Sequence, residues 1–165
     1  CQDNELSWVD WDKVDEDLVQ FTAAVAALRR AHPVFRRRRF FAGRPIRRGD
    51  ELRDIAWFNP SGEEMTEQDW EVDFGRCLTV FLNGEGLLDV DSRGQRVTDS
   101  SFLLCFNAHH EDLDVQLPGT DYGQEWTVVL DTALSTLPGT AGACATGAEC
   151  ITVTARSLMV LERTA

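Results

Sequence analysis

The chain has 165 residues, a net charge of -12 and a hydrophobic share of 43%. That length suits one domain with a real core, or one domain plus a fragment of another. The acidic balance argues against general nucleic-acid binding, and no apolar run approaches the roughly 20 residues of a membrane helix, so neither a nucleic acid nor a membrane is an expected partner.

Residues 1–14, CQDNELSWVDWDKV, are polar and aromatic without periodicity and predict a loop. Trp8 and Trp11 are spaced to pack, to cap the adjoining helix or to lie against a sugar or a neighbouring surface. That amphipathic helix is predicted from Asp15 to His32. Leu18, Phe21, Val25 and Leu28 recur at helical steps, and the alanines between them favour the helix. Acidic residues lead it, Arg29 and Arg30 close it, and Pro33 stops it.

Beyond the helix, Phe35–Phe41 reads as a short extended connector carrying Arg36 to Arg39. With Arg44, Arg47 and Arg48 these form a basic stretch. It is read as a solvated segment or as partners for the chain's many carboxylates, with anion binding as the alternative. A strand is predicted over Asp54–Asn59, bounded by Pro60-Ser61-Gly62. Thr66 and Asp69 have capping-box spacing, so Glu67–Phe74 predicts a short helix or turn with Trp70 and Phe74 on one side.

From Cys77 the pattern is that of strands: Cys77–Leu82, ending at Asn83-Gly84, then Ser101–Ala108, Asp112–Leu117, Glu125–Thr132, Cys150–Thr154 and Leu158–Arg163. Two hairpins are expected, one turning at His109-His110-Glu111 and one around Ala155-Arg156-Ser157. Leu137–Glu149 is small and Gly-rich, and reads as a flexible loop. About seven short strands with turn signals between them predict a mainly β fold, an antiparallel β-sandwich preceded by one α-helix.

Recognisable chemistry is sparse. There is no GxSxG, phosphate-binding loop or HExxH. The cysteines (Cys1, Cys77, Cys105, Cys144 and Cys150) show no CxxC spacing, and there are three histidines, so neither a metal site nor a cofactor is expected. His109 and His110 are adjacent, so their side chains are expected to point apart, which disfavours joint ligation. Cys77 and Cys105 read as buried. Cys144 and Cys150 are close enough in sequence to pair if oxidised, yet the odd total and the lack of an export signal favour a reducing cytoplasm. The start at Cys1 rather than Met suggests a chain cut from a longer one.

The residues nevertheless resemble a known family. CQDNELSWVDWDKVDEDLVQFTAAVAALRRAHPVFRRRRFF, GRPI, DIAWFNPSGEEMTEQDW, VFLNG, SFLLCFNAHHE and EWTVVLDT are similar to the closing part of isoamylase-type glycogen debranching enzymes. This GlgX/TreX-like group belongs to the α-amylase superfamily, glycoside hydrolase family 13. The resemblance implies that residues 1–39 end a (β/α)8 catalytic barrel, with Asp15–His32 as its last helix, and that residues 40–165 are the C-terminal β-sandwich. It implies a parent enzyme that hydrolyses α-1,6 branch linkages of glycogen by the retaining route, with carboxylates about 5 Å apart.

It also implies that the catalytic carboxylates lie upstream, so no catalytic residue is expected here and the chain alone is expected to be inert. Loops at the carboxyl ends of barrel strands build such sites. Asp3, Asn4 and Trp8 are therefore the candidate glucan-contacting residues, against a reading in which they only shape the loop. A non-catalytic glucan-binding module is the alternative, with Trp57, Phe58, Trp70 and Trp126 as candidate aromatics, although Trp57 and Trp126 lie in strand-like runs that favour the core. Without a barrel, the helix stripe Leu18, Phe21, Val25 and Leu28 is expected to dock on the sheet or to drive self-association.

Overall fold

Helix α1 runs Glu16–Ala31, with Asp15 accepting from the Leu18 N–H and His32 closing the last turn onto the Leu28 carbonyl. The computed structural model describes residues 3–45, 52–73, 75–134 and 142–165. Pro33 stops the α-helix as predicted, and the chain then forms a 3-10 turn over Pro33–Arg36 that takes in the first two residues of the expected Phe35–Phe41 connector. The missing proline N–H costs nothing at a helical first turn, so the residue that ends one helix starts the next.

The strands are β1 (Ile55–Phe58), β2 (Cys77–Leu82), β3 (Phe102–Asn107), β4 (Leu113–Gln116), β5 (Glu125–Asp131), β6 (Cys144–Thr146), β7 (Cys150–Val153) and β8 (Ser157–Arg163). They form a six-stranded sheet in the order β1-β2-β3-β8-β5-β6 and a two-stranded sheet of β4 and β7. The paired strands are antiparallel throughout. A short helix, α2 (Glu67–Trp70), follows β1 with the full Thr66–Asp69 capping box. The Thr66 N–H at 2.8 Å and the Thr66 hydroxyl at 2.7 Å both donate to the Asp69 carboxylate and hold it below the usual range. Phe74, expected beside Trp70, lies outside the described residues.

Alternation along the strands gives the large sheet two apolar faces. Phe81, Leu103, Cys105, Trp126, Val128 and Leu161 pack against Val115, Leu117 and Val153 of the small-sheet layer. On the other face, Val80, Leu82, Phe102 and Val160 join Val34, with Phe21, Val25 and Leu28 of α1 packed against them. The helix therefore docks on the sheet. Leu18 does not share that burial and is 60% exposed.

Both expected hairpins are absent. β3 is bonded along both edges, to β2 and to β8, so β4 has no edge there to join. β8 is likewise held between β3 and β5, and β7 pairs with β4 instead. A short turn between two strands permits either a hairpin or a crossing to the facing layer, and here both turns cross. The Gly-rich segment also contains strand β6, which the flexible-loop reading missed. Ala145 is buried opposite Trp126, where a small residue fits against the large ring. Residues 135–141 of that segment lie outside the described residues.

Two buried carboxylates tie the helical segment to the sheet. Asp99 accepts from His32 Nδ1 at 2.8 Å, the Val34 N–H at 3.0 Å and the Ser100 N–H at 2.8 Å. Asp54 accepts from Arg37 at 3.2 Å and from the N–H groups of Ala42 and Gly43, each at 2.9 Å. The side chains of Arg37 and Asp54 are 4% and 8% exposed, and the guanidinium lies 3.9 Å from the centre of the Phe41 ring. One member of the arginine run is thus a buried partner, while Arg36, Arg38, Arg39 and Arg44 are exposed. Arg47 and Arg48 lie outside the described residues.

Asp54→Ala is expected to cost about 3–5 kcal/mol, because it strands a buried guanidinium. Thr66→Ala, which removes an exposed helix cap, is expected to cost about 1 kcal/mol. Urea unfolding of the two variants measures both.

Candidate functional site

The loop ahead of α1 is built from short-range hydrogen bonds, as its polar sequence dictates. The Asn4 carbonyl accepts from the N–H groups of Ser7 at 2.9 Å and Trp8 at 3.2 Å, and Asn4 Oδ1 accepts from the Leu6 N–H at 3.1 Å. This turn brings Trp8 back over the start of the loop, where its indole N–H donates to Asp3 Oδ1 at 2.7 Å. Asp3, Asn4 and Trp8 therefore form one cluster. Gln2 lies outside the described residues. Trp8 is 65% exposed and Trp11 more so, which overturns the packing reading of this pair. Asp10 then caps a 3-10 turn over Trp11–Lys13, and Asp15 caps α1.

A carboxylate fixed at the edge of a solvent-facing indole suits a sugar ring. The flat face meets the apolar side of a pyranose, and carboxylate and amide groups meet its hydroxyls. The cluster holds no nucleophile paired with a base.

A second aromatic pair lies on the sandwich. Trp57 of β1 and Trp70 of α2 sit with ring centres 5.7 Å apart and nearly perpendicular. Trp57 is 38% exposed and Trp70 54%, so the core expectation fails for Trp57. It shares a sheet face with its cross-strand partner Val80, but only part of that face is covered. Trp126 and Phe58 are buried as core residues.

The groups that resemble reactive ones prove to be structural. Tyr122 donates its hydroxyl to Glu64 at 2.5 Å. Burial, then this bond to a carboxylate, pushes its own ionisation up. Burial pushes the Cys105 thiol up to about 12 and raises that of the half-buried Cys77. Cys144 and Cys150 are exposed and unpaired, on strands of different sheets.

The histidine turn differs from expectation. The rings of His109 and His110 do not point apart: their centres are 4.2 Å from each other with the planes tilted by 35°. Strict alternation holds in extended strands, whereas these two residues sit in the bend after β3.

Two structural partners, His32 and Asp99, were invisible in the sequence because 67 positions separate them. The one available signal was a histidine at the helix end, adjacent to the stop proline.

A family model described as the isoamylase C-terminal domain matches residues 54–162, from the buried Asp54 through most of β8. The chain belongs to the isoamylase C-terminal family. The Mycobacterium tuberculosis "Glycogen operon protein GlgX homolog" is 53% identical over 166 residues, covering 99% of this chain and 23% of that protein. The "Glycogen debranching enzyme" of Dickeya chrysanthemi is 39% identical over 101 residues, 61% of this chain and 14% of that enzyme. That of Cronobacter sakazakii is 33% identical over 95 residues, 58% of this chain and 13% of the enzyme. The isoamylase C-terminal chain thus spans 23% of the mycobacterial relative's length. Asp3, Asn4, Trp8 and α1 precede the part matched by the family model.

Asp3→Ala is expected to shift unfolding stability by no more than about 0.5 kcal/mol, because the residue is exposed and local. Thermal or urea unfolding of the variant checks this. A thiol reagent in mildly alkaline buffer is expected to modify Cys144 and Cys150 in the folded chain, and Cys105 only after denaturation; residue-resolved mass spectrometry reads the difference.

Proposed function

We propose that this chain is the closing part of a glycogen debranching enzyme that hydrolyses α-1,6 branch linkages of glycogen or related α-glucans in the cytoplasm. One observation carries the proposal. The similarity runs along 99% of the chain, yet the chain makes up 23% of the relative. In this reading residues 1–39 end the catalytic barrel, and residues 40–165 are the C-terminal sandwich. The carboxylate pair that attacks and protonates the glycosidic bond belongs to the remainder of the enzyme, and these residues have a structural role.

The exposed apolar groups support that role. Leu18 and Val19 of α1 and Trp57 and Phe106 of the large sheet are exposed. All lie on the helix or on the sheet face that the helix only partly covers. Exposed apolar area of this kind suits contact with the rest of a larger protein. It also suits self-association when that contact is missing. In the loop, the Asp3–Trp8 pair is assigned to a glucose unit of the α-glucan. Trp8 provides the stacking face, with Asp3 and Asn4 as hydroxyl partners.

The isolated chain is expected to release no reducing ends from a branched α-glucan, and measurable debranching by it would overturn the proposed division of labour. In the longer enzyme, Asp3→Ala is expected to raise KM several-fold with folding intact. An unchanged KM and kcat would mean that Asp3 only shapes its loop.

A second reading, a glucan-binding module, is favoured by the exposed Trp57–Trp70 pair. Retardation of the isolated chain in a native gel containing glycogen, lost in Trp57→Ala/Trp70→Ala, would support that reading. Unretarded migration would leave the structural role.

A further inference from the structure

The bend between β3 and β4 carries three consecutive residues with metal-binding side chains, His109, His110 and Glu111. Each offers one ligand atom, and these three atoms lie within 4.8 Å of one another. We propose that this bend is a binding site for a divalent first-row transition ion, of the class that imidazole nitrogen and carboxylate oxygen select: Ni2+, Cu2+ or Zn2+. The site is independent of the debranching reading.

The backbone that presents these ligands is fixed from below. Asn107 is buried. Its Oδ1 accepts from the His109 N–H at 2.8 Å. Its Nδ2 donates to the carbonyls of Glu111 at 3.0 Å, Val153 at 2.9 Å and Thr154 at 3.1 Å. The His109 carbonyl accepts from the Arg156 N–H at 3.0 Å. Asp112, the next residue, accepts from the Ala155 N–H at 2.8 Å. The turn is therefore anchored to the β7–β8 connection, so binding need order only three side chains. This lowers the entropic cost of ligation.

The hydrogen bonding also sets which nitrogen of His109 is available. The Glu111 N–H donates to His109 Nδ1 at 3.2 Å, so in the neutral ring the proton is on Nε2 and the lone pair on Nδ1. That nitrogen is 3.9 Å from Glu111 Oε2. Ligand atoms around one ion with bonds near 2.0–2.2 Å stand about 3–3.5 Å apart. Closing from the present spacing calls for side-chain rotation, and His110 and Glu111 are exposed. The metal replaces the Glu111 N–H at Nδ1, and that N–H, at the surface, turns to water. The His110 ring, stacked beside His109, supplies the second imidazole. The net charge of -12 draws a cation to the surface in general.

Two other potential ligand groups are separate from this one. His32, at the end of α1, is engaged by Asp99. Cys144 and Cys150 are exposed thiols, so the test is run in a Cys144→Ser/Cys150→Ser background. Isothermal titration of the chain with Ni2+ is expected to give one site at micromolar affinity, unchanged by the serine substitutions. His109→Ala and His110→Ala are each expected to weaken it about 10-fold or more, and Glu111→Gln by less.

Ni2+ should raise the melting temperature of the parent chain and, at the same concentration, raise that of His110→Ala less, because a ligand that binds only the folded state stabilises it in proportion to its occupancy. His110 is exposed, so His110→Ala is expected to melt like the parent in the absence of metal, which separates loss of ligation from loss of fold. No binding below millimolar Ni2+, affinity undiminished in His110→Ala, or binding abolished by the cysteine substitutions alone would each overturn the proposal.

Discussion

The structure depends on a seam sealed by buried carboxylates. Asp99 receives the ring of His32 and the N–H of Val34, and so satisfies donors at the point where α1 gives way to the 3-10 turn. The first turn of a helical segment packed against a sheet leaves backbone N–H groups without intrahelical partners, and each one left unsatisfied and buried costs about 1–3 kcal/mol. Asp54 does the same a few residues later for Ala42 and Gly43, and it also neutralises Arg37. With these two groups in place, the helix lies where Phe21, Val25 and Leu28 reach the sheet. The ring of His32 then packs edge-on against Phe102 at 4.7 Å.

Close approach on the same side of the sheet depends on a glycine. A Cβ on Gly84 would collide with the backbone oxygens of Asp99 and Ser100. The turn after β2 and the segment leading into β3 are thus pressed together. The Asp99 N–H donates to the Gly84 carbonyl at 3.1 Å, and the Gly84 N–H donates to Ser101 Oγ at 3.2 Å. The position of the Asp99 carboxylate is consequently set by backbone contacts on the sheet side, and the helix end conforms to it.

Local chemistry was legible in the sequence, and long-range pairing was not. β2 occupies the predicted Cys77–Leu82, the helix ends where Asp15 and Pro33 said it would, and the capping box at Thr66 is complete. These features follow from periodicity and from residues within four positions of each other. The two false hairpins, the unseen β6 and the exposed Trp57 share another cause. Each depends on which neighbour occupies a strand edge or covers a face, and alternation within one strand does not encode that. The Asp3–Trp8 bond was legible only as a cluster of suitable residue types. The histidine pair departs from the alternation of a strand because it sits in a bend.

The two faces of the large sheet are finished by different means, and this bears on how the chain relates to its longer relatives. One face is closed by β4 and β7, strands from within the matched family region. That layer is internal to the sandwich, and its burial is complete at Val115 and Val153. The other face is closed by α1, which precedes that region, and the cover stops short of Trp57 and Phe106. A sheet complete on one side and incomplete on the other retains a direction. The helix contributes its inner stripe to the sheet while Leu18 and Val19 face outward. It therefore has apolar groups on two sides, one stripe packed on the sheet and one in solvent.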